Sequence, residues 1–168
     1  SPVKEIILID DNYDSIIRKT LNNLSIRDAE SISYGGRKKK LLAILDRVNN
    51  SIYWLDLALN VVRIKKTHKI NPRTMFYNEI TNKLYVSFVD SPVVMQYCFD
   101  DPSDPSVLCQ CPNINGFNQI DAMTSYGSVL YFIDTAASII KSVDLEDKQK
   151  IFTQHLSFGR DGQGFIRQ

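Results

Sequence analysis

Along the chain, short apolar runs rich in β-branched and aromatic residues alternate with polar turns. No stretch sustains the three-and-four spacing of an amphipathic helix, and residues 146–154 suit at most one helical turn. Strands are therefore predicted over residues 5–10, 15–21, 41–46, 52–56 and 61–66, then over 74–77, 84–88, 93–99, 107–111, 121–125, 129–134, 139–145 and 150–153. Residues 27–34 alternate weakly through Ala29, Ile32 and Tyr34, as an outer edge strand does, and 67–70 predict a stunted outer strand. Turn chemistry separates the runs: Asp11-Asn12-Tyr13-Asp14 is one case, and Tyr126-Gly127-Ser128 is a short-hairpin signal. The chain reads as all-β and antiparallel.

One stretch organises the rest. Residues 51–63 read Ser-Ile-Tyr-Trp-Leu-Asp-Leu-Ala-Leu-Asn-Val-Val-Arg, and residues 7–18, 84–95 and 130–141 fall into register with it. Asp11, Asp56, Phe88 and Asp134 occupy one column, and seven residues later stand Arg18, Arg63, Met95 and Lys141. The column spacings are 45, 32 and 46 residues, a mean of 41, which is the period of a propeller blade. The expected architecture is a β-propeller arc of about four blades, three of them full four-stranded antiparallel units and one partial. The units are expected at about 1–36, 37–71, 72–112 and 113–156, with a flexible glycine-rich tail over 157–168.

Charge and cysteines narrow the setting. Twenty Lys and Arg balance 19 Asp and Glu, which gives no general attraction to nucleic acid or to a membrane surface. No apolar run is long enough for a membrane-spanning helix. The chain begins Ser1-Pro2-Val3, as expected of a processed chain or an excised piece. Cys98 and Cys109 can oppose each other across an antiparallel pair and form a disulfide; with Cys111 they also suit reduced, small apolar residues. Cys109-Gln110-Cys111 lacks the second ligand pair of a zinc site, and His68 and His155 lie far off, so no metal and no cofactor is expected. Sequons begin at Asn23 and Asn49, where surface turns are predicted, and favour an extracellular or lumenal setting. The basic run Arg37-Lys38-Lys39-Lys40 is expected to be a solvated turn.

Tyr53-Trp54-Leu55-Asp56 with Val62-Arg63 resembles the YWTD repeat of the low-density-lipoprotein-receptor class of β-propellers. Leu130-Tyr131-Phe132-Ile133-Asp134 with Ile140-Lys141 is similar, and Leu84-Tyr85-Val86-Ser87 is a looser copy that loses its aspartate to Phe88. The resemblance implies that the motif lies on the second strand of each blade. It also implies that Asp11, Asp56 and Asp134 tie neighbouring blades together, with an apolar contact at Phe88 in their place. Relatives of this kind are usually six-bladed. The arc is thus expected to be part of a longer ring, or to be completed by another chain or segment; closure of a small ring by the tail near Phe165 is the less favoured arrangement.

The function the resemblance implies is a non-enzymatic, protein-binding segment of an extracellular receptor or matrix-like protein. Its binding face is expected to combine Tyr13, Asp14, residues 37–40, Leu57, Leu59, Asn71, Arg73, Val89, Asp90, Asn113, Asn115 and Phe117. Tyr13, Leu59 and Phe117 are the expected apolar anchors, with Arg73, Asp90 and Asn113 beside them. The competing class is a calcium-dependent propeller hydrolase of lactonase or esterase type, for which Asp56, Asn113, Asp121 and Asp134 would have to converge. A third is a structural subunit that completes a ring with another chain.

Overall fold

The computed structural model describes residues 4–9, 11–12, 15–67, 69–91, 93–100, 119–149, 151–158 and 164–165. Tyr13, Asp14, Cys109, Asn113, Asn115 and Phe117 lie outside the described residues, as does the strand expected over 107–111. Among the described residues the chain forms four antiparallel sheets in sequence order, with no strand crossing between them. The first holds β1 (Glu5–Ile9) and β2 (Ser15–Thr20), and a 3₁₀ turn at Asn22–Leu24 leads out of it. The second runs β3 (Ala29–Gly35), β4 (Leu41–Asp46), β5 (Ser51–Leu55) and β6 (Val61–Lys66). The third holds β7 (Pro72–Asn78), β8 (Lys83–Phe88) and β9 (Val94–Cys98). The fourth runs β10 (Ile120–Tyr126), β11 (Val129–Asp134), β12 (Ile139–Asp144), β13 (Phe152–Phe158) and the short β14 (Gly164–Phe165). No helix is long and apolar enough to cross a membrane.

Side chains that alternate along the strands of the second and third sheets feed two different layers, so each of these sheets is glued to both neighbours. Ile6 and Ile17 of the first sheet meet Ile44, Tyr53 and Leu55 of the second. Leu41, Ala43, Leu45, Ile52 and Trp54 of the second meet Met75, Leu84, Val86 and Phe88 of the third. Tyr85 and Val94 of the third meet Ile120, Leu130, Phe132 and Val143 of the fourth. Central strands β5 and β8 are buried on both faces, which explains their near-continuous apolar runs. The first strands of successive sheets, β3, β7 and β10, lie side by side.

The strand register corrects the sequence repeat. β3 pairs with β4 through the turn at residues 36–40, so it opens the second sheet and is not an outer strand of the first. Gly35-Gly36 sits inside that hairpin because the chain needs two residues without a Cβ there. A Cβ on Gly35 would lie within the Tyr77 ring, and Gly36 adopts φ +105°. The unit boundary expected at residue 36 therefore falls inside a sheet, and Thr67, Lys69 and Ile70 belong to no strand, the outer place being held by β6. The Tyr-Trp-Leu run of β5 is on the third strand, not the second. By register the equivalent positions are Asp46, Phe88 and Asp134, opposite Ala29, Pro72 and Ile120 respectively. Asp56 follows a third strand instead, and Asp11 follows β1, whose ladder with β2 has the register of β5 with β6. The glycine-rich tail also differs from expectation: β13 extends through Phe158 and pairs with β14 at Phe158↔Gly164.

Candidate functional site

Antiparallel order places the connections on two faces. The first face carries the loops between second and third strands, 47–50, 89–93 and 135–138, and those that enter a new sheet, 21–28 and 67–71. The second carries the turns between first and second strands, 36–40, 79–82 and 127–128, and those between third and fourth, including 56–60. The expected binding face is therefore split. Arg73, Asp90 and Asn71 belong to the first face, whereas residues 37–40, Leu57 and Leu59 belong to the second.

On the first face, charged groups satisfy one another. Arg47 reaches Asp28 and Glu30 at 2.8 Å each, and Arg73 reaches Glu30 at 3.8 Å and Asp121 at 3.2 Å. The other oxygen of Asp121 accepts from Thr135 Oγ1 at 2.7 Å. The chain Asp28, Arg47, Glu30, Arg73, Asp121 thus crosses three successive inner strands. The hydrogen bond and charge of Arg47 hold the Asp28 carboxyl below the usual carboxylate range. For Asp121 burial is the largest influence and pushes upward, but Thr135, Gln119 and Arg73 together outweigh it and the carboxyl is lowered. Half-exposed pairs like these contribute about 0–1 kcal/mol each, so their main effect is to align β3, β7 and β10. Arg73 joins blades, and Asp90 is exposed at a turn residue with φ 54°.

The aspartates behave as their corrected register requires. Asp134 is fully buried and accepts from the backbone N–H groups of Gln119 and Ala137, at 3.2 Å each, with Lys141 Nζ at 3.5 Å. Asp46, also fully buried, accepts from the N–H groups of Arg27 (2.9 Å), Asp28 (3.2 Å) and Asn49 (3.1 Å). Each carboxylate fastens the segment entering its own sheet to the next turn. Asp56 only folds its loop, accepting from the N–H of Ala58 (3.0 Å) and Asn60 (2.8 Å). The Asn60 N–H is the main reason its carboxyl is lowered. Phe88, 1% exposed, fills the same column by packing against the second sheet. Asp56 and Asp134 lie on opposite faces, so the calcium arrangement does not assemble, and no group of three or more ligating side chains occurs among the described residues.

Other expected site residues move too. Leu59 is fully buried with φ 59° and packs on Tyr53 and Leu55, because the loop folds back over the core. Trp54 is fully buried between the second and third sheets. Cys98 is disulfide-bonded, and its expected partner Cys109 lies outside the described residues. Asn23 is exposed, but the Asn49 amide is committed to Ser25 O, Asp46 Oδ2 and Tyr53 Oη at 3.2, 2.7 and 3.2 Å, which leaves it poorly placed for a glycan.

The second face offers an open hollow of about 450 Å³ at the junction of three sheets, lined by Tyr34, Lys40, Glu79, Ile80 and Tyr126 among others. Tyr126 is 85% exposed and Ile80 45%. Beside it the lysine loop is built rather than loose. Asp100 Oδ2 accepts from the N–H of Arg37 and Lys38 at 2.9 Å each and from Asn82 Nδ2 at 2.8 Å, while the Arg37 guanidinium donates to the carbonyls of Glu79 and Ile80. Burial pushes the Asp100 carboxyl upward most, and the N–H donors of the loop and Asn82 outweigh it, leaving it lowered. Lys38, Lys39 and Lys40 are exposed on this loop, and Lys40 lines the hollow. In the sequence Tyr126 marks only a hairpin turn, Ile80 carries no signal of a site, and the basic run beside them is expected to be solvated.

No family model matches the chain, and no curated protein sequence matches it. Solved structures do. The RRP9 WD40 repeats superpose with a TM-score of 0.69 at 10% identity, over 92% of this chain and 45% of that one. Virginiamycin B lyase from Staphylococcus aureus gives 0.64 at 12% identity, over 96% and 51%. A chain of the nidogen/laminin complex gives 0.58 at 18% identity, over 82% and 54%. The chain spans about half the length of these structures, and what the likeness establishes is the fold, an open arc of a β-propeller.

Proposed function

We propose that this chain is a non-enzymatic, protein-binding segment of a β-propeller from an extracellular or lumenal protein, and that its partner docks on the second face. The observation that carries the reading is the hollow between Lys40, Ile80 and Tyr126, where exposed apolar and aromatic groups lie beside a basic loop held in place by Asp100. Exposed aromatics beside a shaped hollow are the groups that anchor protein interfaces. Four cations in succession, Arg37 to Lys40, select a partner that brings carboxylates. The opposite face has its charges paired internally. The disulfide at Cys98 and the exposed sequon at Asn23 support an oxidising, secretory setting, and the nidogen/laminin neighbour is itself part of a protein–protein assembly.

The test is a selection of peptides from a randomised displayed library on the full chain, with affinities measured on variants. Selected peptides should carry Asp or Glu flanking an apolar residue. Tyr126→Ser and Lys39→Glu should each weaken them by about tenfold or more, and Asp90→Asn on the first face should leave them unchanged. Peptides that bind both second-face variants as well as wild type would refute the reading.

A further inference from the structure

The first sheet is half a blade. β1 and β2 pair from Glu5↔Thr20 to Ile9↔Ser15, and β5 and β6 pair from Ser51↔Lys66 to Leu55↔Val61. Every pair matches at an offset of 46 residues, and both ladders carry their irregularity before the last pair. β1 and β2 are thus a third and a fourth strand. The other edge of β5 holds β4, from Leu42↔Leu55 to Asp46↔Ser51. The same edge of β1 pairs with no described strand.

The neighbouring sheet shows the same vacancy from its own side. By register Ile32 of β3 is the equivalent of Met75 of β7, and Tyr34 of Tyr77. Met75 is 4% exposed, packed against the second sheet, whereas Ile32 is 56% exposed and Tyr34 52%. A hollow of about 390 Å³ lies between β1 and β3, lined by Ile6, Leu21, Glu30, Ile32 and Ile44 among others.

We propose that this edge and hollow are the docking site for a β-hairpin from a further polypeptide segment, which supplies the first and second strands of the blade. The solved neighbours supply the argument for an outside segment, since this chain spans only 42–54% of their lengths. The second strand of the hairpin runs antiparallel to Glu5–Ile9 and adds to it by main-chain hydrogen bonds. It ends in an aspartate opposite Glu5, because Asp46 stands opposite Ser51 and Asp134 opposite Ile139 in the complete sheets. Alternate apolar residues enter the hollow, as Leu41, Ala43 and Leu45 enter the next layer. Its first strand lies beside β3 as β3 lies beside β7, where Ser31 Oγ donates to Met75 O at 3.3 Å and Tyr77 N–H donates to Ser33 Oγ at 3.2 Å.

The chain provides its own probe, because residues 29–46 are the hairpin that occupies this place one blade on. That segment is fused ahead of Ser1 in the full chain, and in parallel added as a free peptide. Hydrogen exchange should slow about tenfold or more across β1, and the melting temperature should rise. Ile32→Lys should leave the unfused chain melting as wild type does and should abolish the gain in the fused one. The proposal is overturned if β1 exchanges at its original rate with both probes while β5 stays protected, or if a peptide of the same composition in scrambled order protects β1 equally.

Discussion

Asp100 shows how one carboxylate sets the shape of a surface. It comes from the third sheet yet takes the N–H groups of a loop in the second, so the lysine loop is positioned across a blade boundary. Its carboxyl is lowered in the folded chain, as is that of Asp121. A depressed folded value contributes stability that is present above the unfolded value near 3.9 and is lost as pH falls through the folded one. Wild type should therefore lose melting temperature when taken from pH 6 to pH 3, most steeply below about pH 4, and Asp100→Asn with Asp121→Asn should flatten that decline. Gly35 is the second residue whose identity is dictated by a neighbour. Gly35→Ala would drive a Cβ into the Tyr77 ring and should destabilise the chain by about 1–3 kcal/mol. Most of that cost should vanish in a Tyr77→Ser background, as measured by chemical denaturation.

At the scale of elements, the second strand of each sheet ends in the residue that fastens its entrance. Asp46→Ala and Asp134→Ala each leave two or more part-buried N–H donors without their acceptor and should each cost about 1–3 kcal/mol. Asp56→Ala, in a loop open to water, should cost clearly less, and the order of the three melting temperatures checks the corrected register. The period of the repeat was legible in the sequence because buried strands need apolar runs at regular intervals. Its phase was harder to read. Tyr53-Trp54-Leu55-Asp56 looks like a second strand because β5 is buried on both faces, and a run ending in aspartate carries no mark of which edge it pairs with. Leu41 to Asp46 and Val129 to Asp134 share a sharper signature, an apolar run closed by aspartate, and their alignment was the available signal. The sequence could not show that Leu59 turns inward, since a left-handed backbone at a leucine is chosen by the core beneath it. Lys40, Ile80 and Tyr126 converge only once three hairpins are stacked.

For the molecule as a whole, stability is distributed over three layers, each shared by two adjacent sheets. Contacts are between neighbours in the series, so cooperativity passes along it step by step, as in repeat proteins. The first sheet has two strands and one layer, which makes it the weakest unit. Hydrogen exchange should find β1 and β2 opening with the lowest free energy, and β5 and β8 with the highest.

Trp54 turns this gradient into an optical signal. It is the one tryptophan of the chain, and its indole N–H is enclosed without a hydrogen-bond partner in the central seam. Its fluorescence should be strongly blue-shifted and should stay so while the ends of the arc fray, changing colour only when the middle pair of sheets separates. Circular dichroism, which counts every strand, should therefore begin to fall at a lower temperature than the emission shifts, and the interval between the two curves measures how far the arc peels before its centre lets go.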